Sequence, residues 1–180
     1  MSLRALMLSS LALLSACGGA PASSGGTTPS RSEPSAALSL ADAIELGAAA
    51  YPDAAPFAVE RDDVAGRAVL EVKLLGGTSV HIIKFALDDR SVVSTEDKPI
   101  ESDELAEYTL LSAELTTRTA PLHAGLRMMI EAYGEDALEE VELEMHGVTM
   151  VLEAAVSRDG ERQVQVHDPD TGAFVMTETD

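Results

Sequence analysis

Three groups of side chains in this sequence could carry chemistry. The first is "VHDPDTGAFV", residues 166–175, where Asp168, Asp170 and Gly172 have the D-x-D-x-G spacing that opens many calcium loops. The second is the acidic run Glu139, Glu140, Glu142 and Glu144. The third is the set of four histidines, His81, His123, His146 and His167. An EF-type calcium loop needs a third oxygen ligand, then a glycine at its sixth position and an acid at its twelfth. Counted from Asp168, those places hold Gly172, Ala173 and Thr179, so the pattern fails at each. A turn accounts for the residues better. Pro169 presets φ, Asp170 and Thr171 bond locally, and Gly172 accepts positive φ before a last strand.

Catalysis needs a nucleophile with its base, or an acid and a base within reach of one substrate atom. His81 and His167 fall in strands, at roughly matching places in two similar segments. His123 falls in the first turn of a helix, and His146 lies on an acidic face beside a turn. None has a partner at a recognised ligand or triad spacing. There is no H-E-x-x-H, no G-x-S-x-G and no Gly-rich phosphate loop. The expectation is a protein with no catalytic residues, no cofactor and no metal site. Glu140, Glu142 and Glu144 are the remaining binding candidates. On one strand face they stand about 7 Å apart in turn. They suit a Lys/Arg-rich partner or loosely held cations, and the plain alternative is a solvated outer face.

The elements that must position these residues come twice. "SLADAIELGAAAYPDAAPFAVE" (Ser39–Glu60) aligns with "PLHAGLRMMIEAYGEDALEEVE" (Pro121–Glu142), so Tyr51 meets Tyr133 and Val59-Glu60 meets Val141-Glu142. Further on, "VLEV" from Val69 meets "VLEA" from Val151. One gap then brings "FALDDRSVV" onto "VHDPDTGAF". Each segment opens with a helix. Ser39 is its N-cap in the first, with Leu38 placed as a staple, and Pro52 stops it. In the second, Pro121 suits the first turn and Gly134 the stop. Leu122, Leu126, Met129, Ile130 and Tyr133 make its apolar stripe, so the methionines read as core. Each segment then turns to period two. Val141, Leu143 and Met145 alternate with the glutamates, and Val148, Met150, Leu152, Ala154 and Val156 continue the apolar face. Asp159-Gly160 is a hairpin turn, and Val164 and Val166 face inward beyond it. Between the segments, Leu105, Tyr108 and Leu111 or Leu115 suit a connecting helix.

The start of the chain has its own pattern. Met1–Arg4 is short and basic, Ala5–Leu14 is mostly apolar, and "LSAC" (Leu14–Cys17) follows. The apolar run is too short for a membrane helix, which needs about 20 residues, but it suits an export signal. The "LSAC" ending resembles a bacterial lipoprotein lipobox. That resemblance implies cleavage before Cys17 and lipid on its thiol and new amino group. Cys17 is the only cysteine, so no internal disulfide forms. More than one acyl chain gives stable anchoring. Gly18 in place of an acid implies the outer membrane, with the domain on its periplasmic face. The Gly/Ser/Pro/Thr stretch that follows reads as a flexible stalk. The chain carries a formal charge of −19, and loss of Arg4 with the leader makes it one unit more negative. Nucleic-acid binding, which needs a basic footprint, is disfavoured, and a basic protein partner is favoured. With three Phe, three Tyr and no Trp, the core must be aliphatic.

The pattern of helix, acidic strand, longer apolar strand, hairpin, and strand–Asp-x-x-x-Gly–strand resembles a PepSY domain. Here that ending is Asp168 to Gly172 with Ala173-Phe174-Val175. In the first segment Leu87 stands where the Asp would be and Ser91 where the Gly would be, so that copy is degenerate. The expected organisation is a signal peptide at 1–16, an anchor and linker at 17–37, a first unit at 38–100, a connecting helix at 101–119 and a second unit at 120–180. The fold class is α+β, two repeated units, each a helix packed on a small antiparallel sheet in a PepSY/cystatin-like layer. The resemblance implies a non-catalytic envelope module that binds or inhibits a protein, an exported peptidase being one candidate. The alternative is a periplasmic lipoprotein that binds a small molecule or metal cation.

Overall fold

Ser39 starts the first helix. Its Oγ accepts the Asp42 backbone N–H at 3.1 Å, which satisfies one of the amides that a helix start leaves open. The structure, a computed structural model, describes residues 37–178; the leader, Cys17 and nearly all of the linker lie outside the described residues. Helix α1 spans Leu40–Ala50 and buries Leu40, Ala43, Ile44 and Gly47. Pro52 disfavours helical φ/ψ at Tyr51, and the helix ends there. A Cβ at Gly47 would stand 3.0 Å from Val72 Cγ1, so the small residue lets α1 lie directly on the sheet.

Four strands follow as a meander: β1 (Ala55–Val64), β2 (Arg67–Gly76), β3 (Ser79–Ala86) and β4 (Val92–Pro99). Helices α2 (Leu105–Thr117) and α3 (Pro121–Tyr133) come next, then a short 3-10 turn at Glu135–Ala137. The chain closes with β5 (Leu138–His146), β6 (Thr149–Arg158), β7 (Glu161–His167) and β8 (Phe174–Glu178). All eight strands lie in one antiparallel sheet in the order β4-β3-β2-β1-β5-β6-β7-β8. The fold is α+β, with the strands joined edge to edge instead of standing as two separate small sheets. The seam is short. Only Ala58 with Glu142, Val59 with Val141 and Glu60 with Glu140 face each other across β1 and β5. Arg61 reinforces it, donating from Nε to Leu138 O at 2.9 Å and from Nη2 to Glu135 O at 3.3 Å. The Leu40 N–H donates to Glu135 Oε1 at 2.9 Å.

Alternation puts Leu70, Val72, Leu74, Ile83, Leu143 and Leu152 in the aliphatic core with Leu122, Leu126 and Met129 of α3. A fully buried side chain of this kind contributes roughly 1.5–3 kcal/mol relative to exposure. Helix α3 comes as close to the sheet as α1, since a Cβ at Gly125 would meet Leu152 Cδ1 at 2.7 Å. In α2 the buried residues are Leu111 and Leu115. Tyr108 sits edge-on to Phe57 with ring centroids 6.0 Å apart, whereas Leu105 is exposed. The apolar stripe of α2 is therefore shorter than its spacing implies. Val148, expected on the inner face, is 82% exposed. It belongs to the β5–β6 turn, which begins at Gly147 with φ 68°.

The closing turns depart by one residue from the sequence alignment. The Asp168 N–H donates to Ala173 O at 2.9 Å and the Gly172 N–H to Asp168 O at 2.8 Å. The same ring forms between β3 and β4 from Ala86 N–H to Ser91 O at 2.8 Å and Arg90 N–H to Ala86 O at 3.0 Å. Ala86 therefore takes the place of Asp168, and Arg90 that of Gly172, in correction of Leu87 and Ser91. Arg90 has φ 62° where Gly172 has φ 67°. No gap is needed. A Cβ at Gly172 would also meet Met128 Sδ at 2.9 Å. Gly172→Ala is expected to cost about 1 kcal/mol through left-handed strain, read as a lower urea midpoint; an unchanged midpoint would sink this account.

Candidate binding face

Residues that alternate with the core point to the sheet face opposite α1 and α3. Two rows cross it. In the first, Lys84 faces Glu71, Glu71 faces Glu60 and Glu60 faces Glu140. In the second, Lys73 faces Ala58, Ala58 faces Glu142, Glu142 faces Glu153 and Glu153 faces Val166. Glu140, Glu142 and Glu144 lie together here, as their period-two spacing predicts. They are joined by Glu60, Asp62, Glu71 and Glu153 from neighbouring strands, which local spacing cannot reveal.

The cations are unevenly placed. Lys84 Nζ lies 2.5 Å from Asp62 Oδ2 and 2.6 Å from Glu71 Oε2. Its bond to Asp62, then its bond to Glu71, raises the ammonium pKa well above the usual lysine value. The same bond to Lys84 lowers the Asp62 carboxyl. Lys73 Nζ is shared among Glu60 at 3.2 Å, Glu140 at 3.8 Å and Glu142 at 3.9 Å. Burial pulls its pKa down, but the three carboxylates together outweigh that and raise it. Arg162 covers Glu140 at 2.9 Å and Glu139 at 3.6 Å. Glu142 is left with little compensation. Burial pushes its carboxyl up to about 8, against the pull of Lys73 and with the help of Glu140. Burial likewise raises Glu153, with Glu144 and Glu178 adding to the shift and His146 opposing it.

The histidines have partners from other elements, which chain spacing does not reveal. His146 Nε2 lies 2.8 Å from Glu153 Oε1 and 3.8 Å from Glu178 Oε1. The donor atoms of Glu144, His146 and Glu153 all lie within 4.8 Å of one another. His81 Nδ1 lies 2.6 Å from Asp97 Oδ1, and its ring stacks on Tyr51 at 4.5 Å beside a cleft of about 350 Å³. His123 faces Glu45 at 3.6 Å. His167 is buried, with Nε2 beside the Tyr133 hydroxyl at 2.9 Å and Nδ1 beside Gly172 O at 3.0 Å. His81 and His167 do not match in place: His81 faces Leu74 near the start of β3, and His167 faces Leu152 at the end of β7.

A larger cleft of about 420 Å³ opens where the β4–α2 connection meets the acidic face. Lys73, Ile82, Lys98, Tyr108 and Glu142 line it, so the carboxyl with the most strongly raised pKa stands in its wall. The Asp168 carboxylate is engaged differently. Its Oδ1 accepts from Asp170 N–H at 3.0 Å, Thr171 N–H at 2.8 Å and Thr171 Oγ1–H at 2.8 Å, and Arg118 pairs with Asp170. These bonds brace the turn. Asp168 and Gly172 therefore sit in a structural turn and outside the acidic face.

Fold and face together define an α+β protein with α1 and α3 on one side of a broad antiparallel sheet and carboxylates on the other, where Tyr108 of α2 also stands beside Lys73 and Glu142. Among the described residues no helix is long and apolar enough to cross a membrane. No family model matches the chain, and no curated protein matches its sequence. Its fold is similar to the crystal structure of a protein of Clostridium difficile 630 provisionally designated a lipoprotein. The two share a TM-score of 0.50 and 14% sequence identity, over 78% of this chain and 92% of that one. At that identity the likeness is one of fold.

Proposed function

We propose that this chain is a non-catalytic, lipid-anchored envelope protein whose acidic sheet face binds a basic segment of another exported protein. The carrying observation is the imbalance on that face: Glu142, Glu144 and Glu153 stand on β5 and β6, while the three strand lysines, Lys73, Lys84 and Lys98, sit on β2, β3 and β4. Lysine or arginine side chains from a partner would supply the missing charge, and such pairs steer association and set specificity. The leader and "LSAC" support lipid on Cys17, and the fold neighbour's designation as a lipoprotein agrees with that reading. Gly18 favours the outer membrane.

The PepSY-like reading of the two halves, 38–100 and 120–180 with the connecting segment 101–119, draws support from the turns. One constant offset carries Tyr51 onto Tyr133, Val59 onto Val141, Glu71 onto Glu153 and Arg90 onto Gly172. It suits a protein-binding or inhibitory module, with an exported peptidase as one candidate partner. The test is crosslinking in whole cells with the natural chain and with the triple variant Glu140→Gln, Glu142→Gln, Glu144→Gln. A partner crosslinked to the natural chain, lost when crosslinking is done at raised salt and missing from the variant is the expected result. The same partner recovered equally from both would refute the reading.

A further inference from the structure

We infer that Glu144, His146 and Glu153 form a binding site for a divalent transition-metal cation of the zinc class, at the edge of the face read above as protein-binding and sharing Glu144 and Glu153 with it. Three donors come from two adjacent strands. Glu144 and His146 lie two residues apart on β5 and so share a face, and Glu153 lies beside them on β6. Their donor atoms lie within 4.8 Å of one another. Carboxylate oxygen and imidazole nitrogen are the donors that zinc accepts at about 2.0–2.2 Å. Calcium asks for six to eight oxygens and has no use for the ring. The ion would take the place of the proton between His146 Nε2 and Glu153 Oε1, now 2.8 Å apart. Glu178 Oε1, at 3.8 Å from His146 Nε2, is within reach as a further ligand.

A second observation points to a cation rather than to a bare acidic patch. The same face carries a sister cluster, Glu60, Asp62 and Glu71, with donor atoms as closely spaced. That cluster holds a cation already, the Lys84 ammonium, 2.5 Å from Asp62 and 2.6 Å from Glu71. Lys84 reaches it from β3 because it faces Glu71 directly. The residue that faces Glu153 from β7 is Val166, which offers no charge. One cluster is closed by the chain's own ammonium. The other keeps its carboxylates, gains an imidazole and lacks the lysine.

The test is calorimetric titration of the metal-free full chain with zinc chloride, repeated with cobalt(II) to read the ligand field by absorption. One saturable zinc equivalent is expected, with no matching calcium uptake. His146→Gln and Glu153→Gln should each weaken zinc binding at least about tenfold. Val166→Lys sets an ammonium opposite Glu153, as Lys84 stands opposite Glu71, but at a buried position; where its far-ultraviolet circular dichroism is native, it should no longer bind zinc. If that variant fails to fold, the two glutamine variants decide. The inference is overturned if both bind zinc within about twofold of the natural chain. It is overturned equally if His123→Gln, remote from the cluster, loses as much, which would mean an adventitious ion only.

Discussion

Lys84→Met is expected to lower the unfolding free energy by about 3 kcal/mol at neutral pH, because it leaves a buried carboxylate without its counter-charge. The Glu71 side chain is only 8% exposed and the Lys84 side chain 22%. A surface ion pair would contribute far less. The folded pKa of Lys84 is raised, so its contribution is fully present below the ordinary lysine value and fades as pH rises through the folded one. The lowered pKa of Asp62 works from the other side, and its share is lost as pH falls through the depressed value. The stabilisation should therefore be broad across neutral pH. Urea unfolding of Lys84→Met measures the loss. Adding Glu71→Gln should return most of it, since the double variant buries no unpaired charge. A single-variant loss below about 1 kcal/mol would place the pair among ordinary surface contacts.

Glu142→Gln has the opposite sign. A carboxyl held up to about 8 in the folded chain keeps its proton where the unfolded chain has released it. The folded state then binds more protons, and stability falls as pH rises from the unfolded value near 4.5 to about 8. Above that the loss is complete and the curve levels. The amide carries no charge to desolvate, so the variant should gain about 2 kcal/mol at neutral pH, discounted for a carboxyl that water partly reaches. Lys73 keeps Glu60 at 3.2 Å and Glu140 at 3.8 Å, so its own charge stays compensated. Thermal unfolding across this pH range provides the check. The natural chain should lose stability across it and the variant should not. Parallel curves would mean that Glu142 titrates as an ordinary surface acid.

These two residues mark where the sequence was legible and where it was not. The alternation of Glu140, Glu142 and Glu144 is local, and so is the cap at Ser39; each depends on neighbours within a few residues and could be read directly. The Asp159-Gly160 turn is of the same kind. Lys84 and Glu71 are paired by register across β2 and β3, and register is a property of the assembled sheet. His146 with Glu153 and His81 with Asp97 are hidden for the same reason. The Leu87 and Ser91 alignment went astray by one residue because an arginine holds a left-handed position where a glycine was sought. One signal was available. All three lysines, Lys73, Lys84 and Lys98, precede the connecting helix, which leaves the later acids to arginine alone within their own half of the chain.

The seam between β1 and β5 has a mechanical meaning. Three residue pairs face each other there, against nine between β1 and β2. A load drawn across a sheet is carried in series, so the shortest ladder bears the same tension with the fewest bonds. Arg61 then acts as a tie bar: its guanidinium grips two carbonyls of the far half, Leu138 O and Glu135 O. The weakest joint of the molecule is thus the one that the chain has chosen to rivet with a side chain.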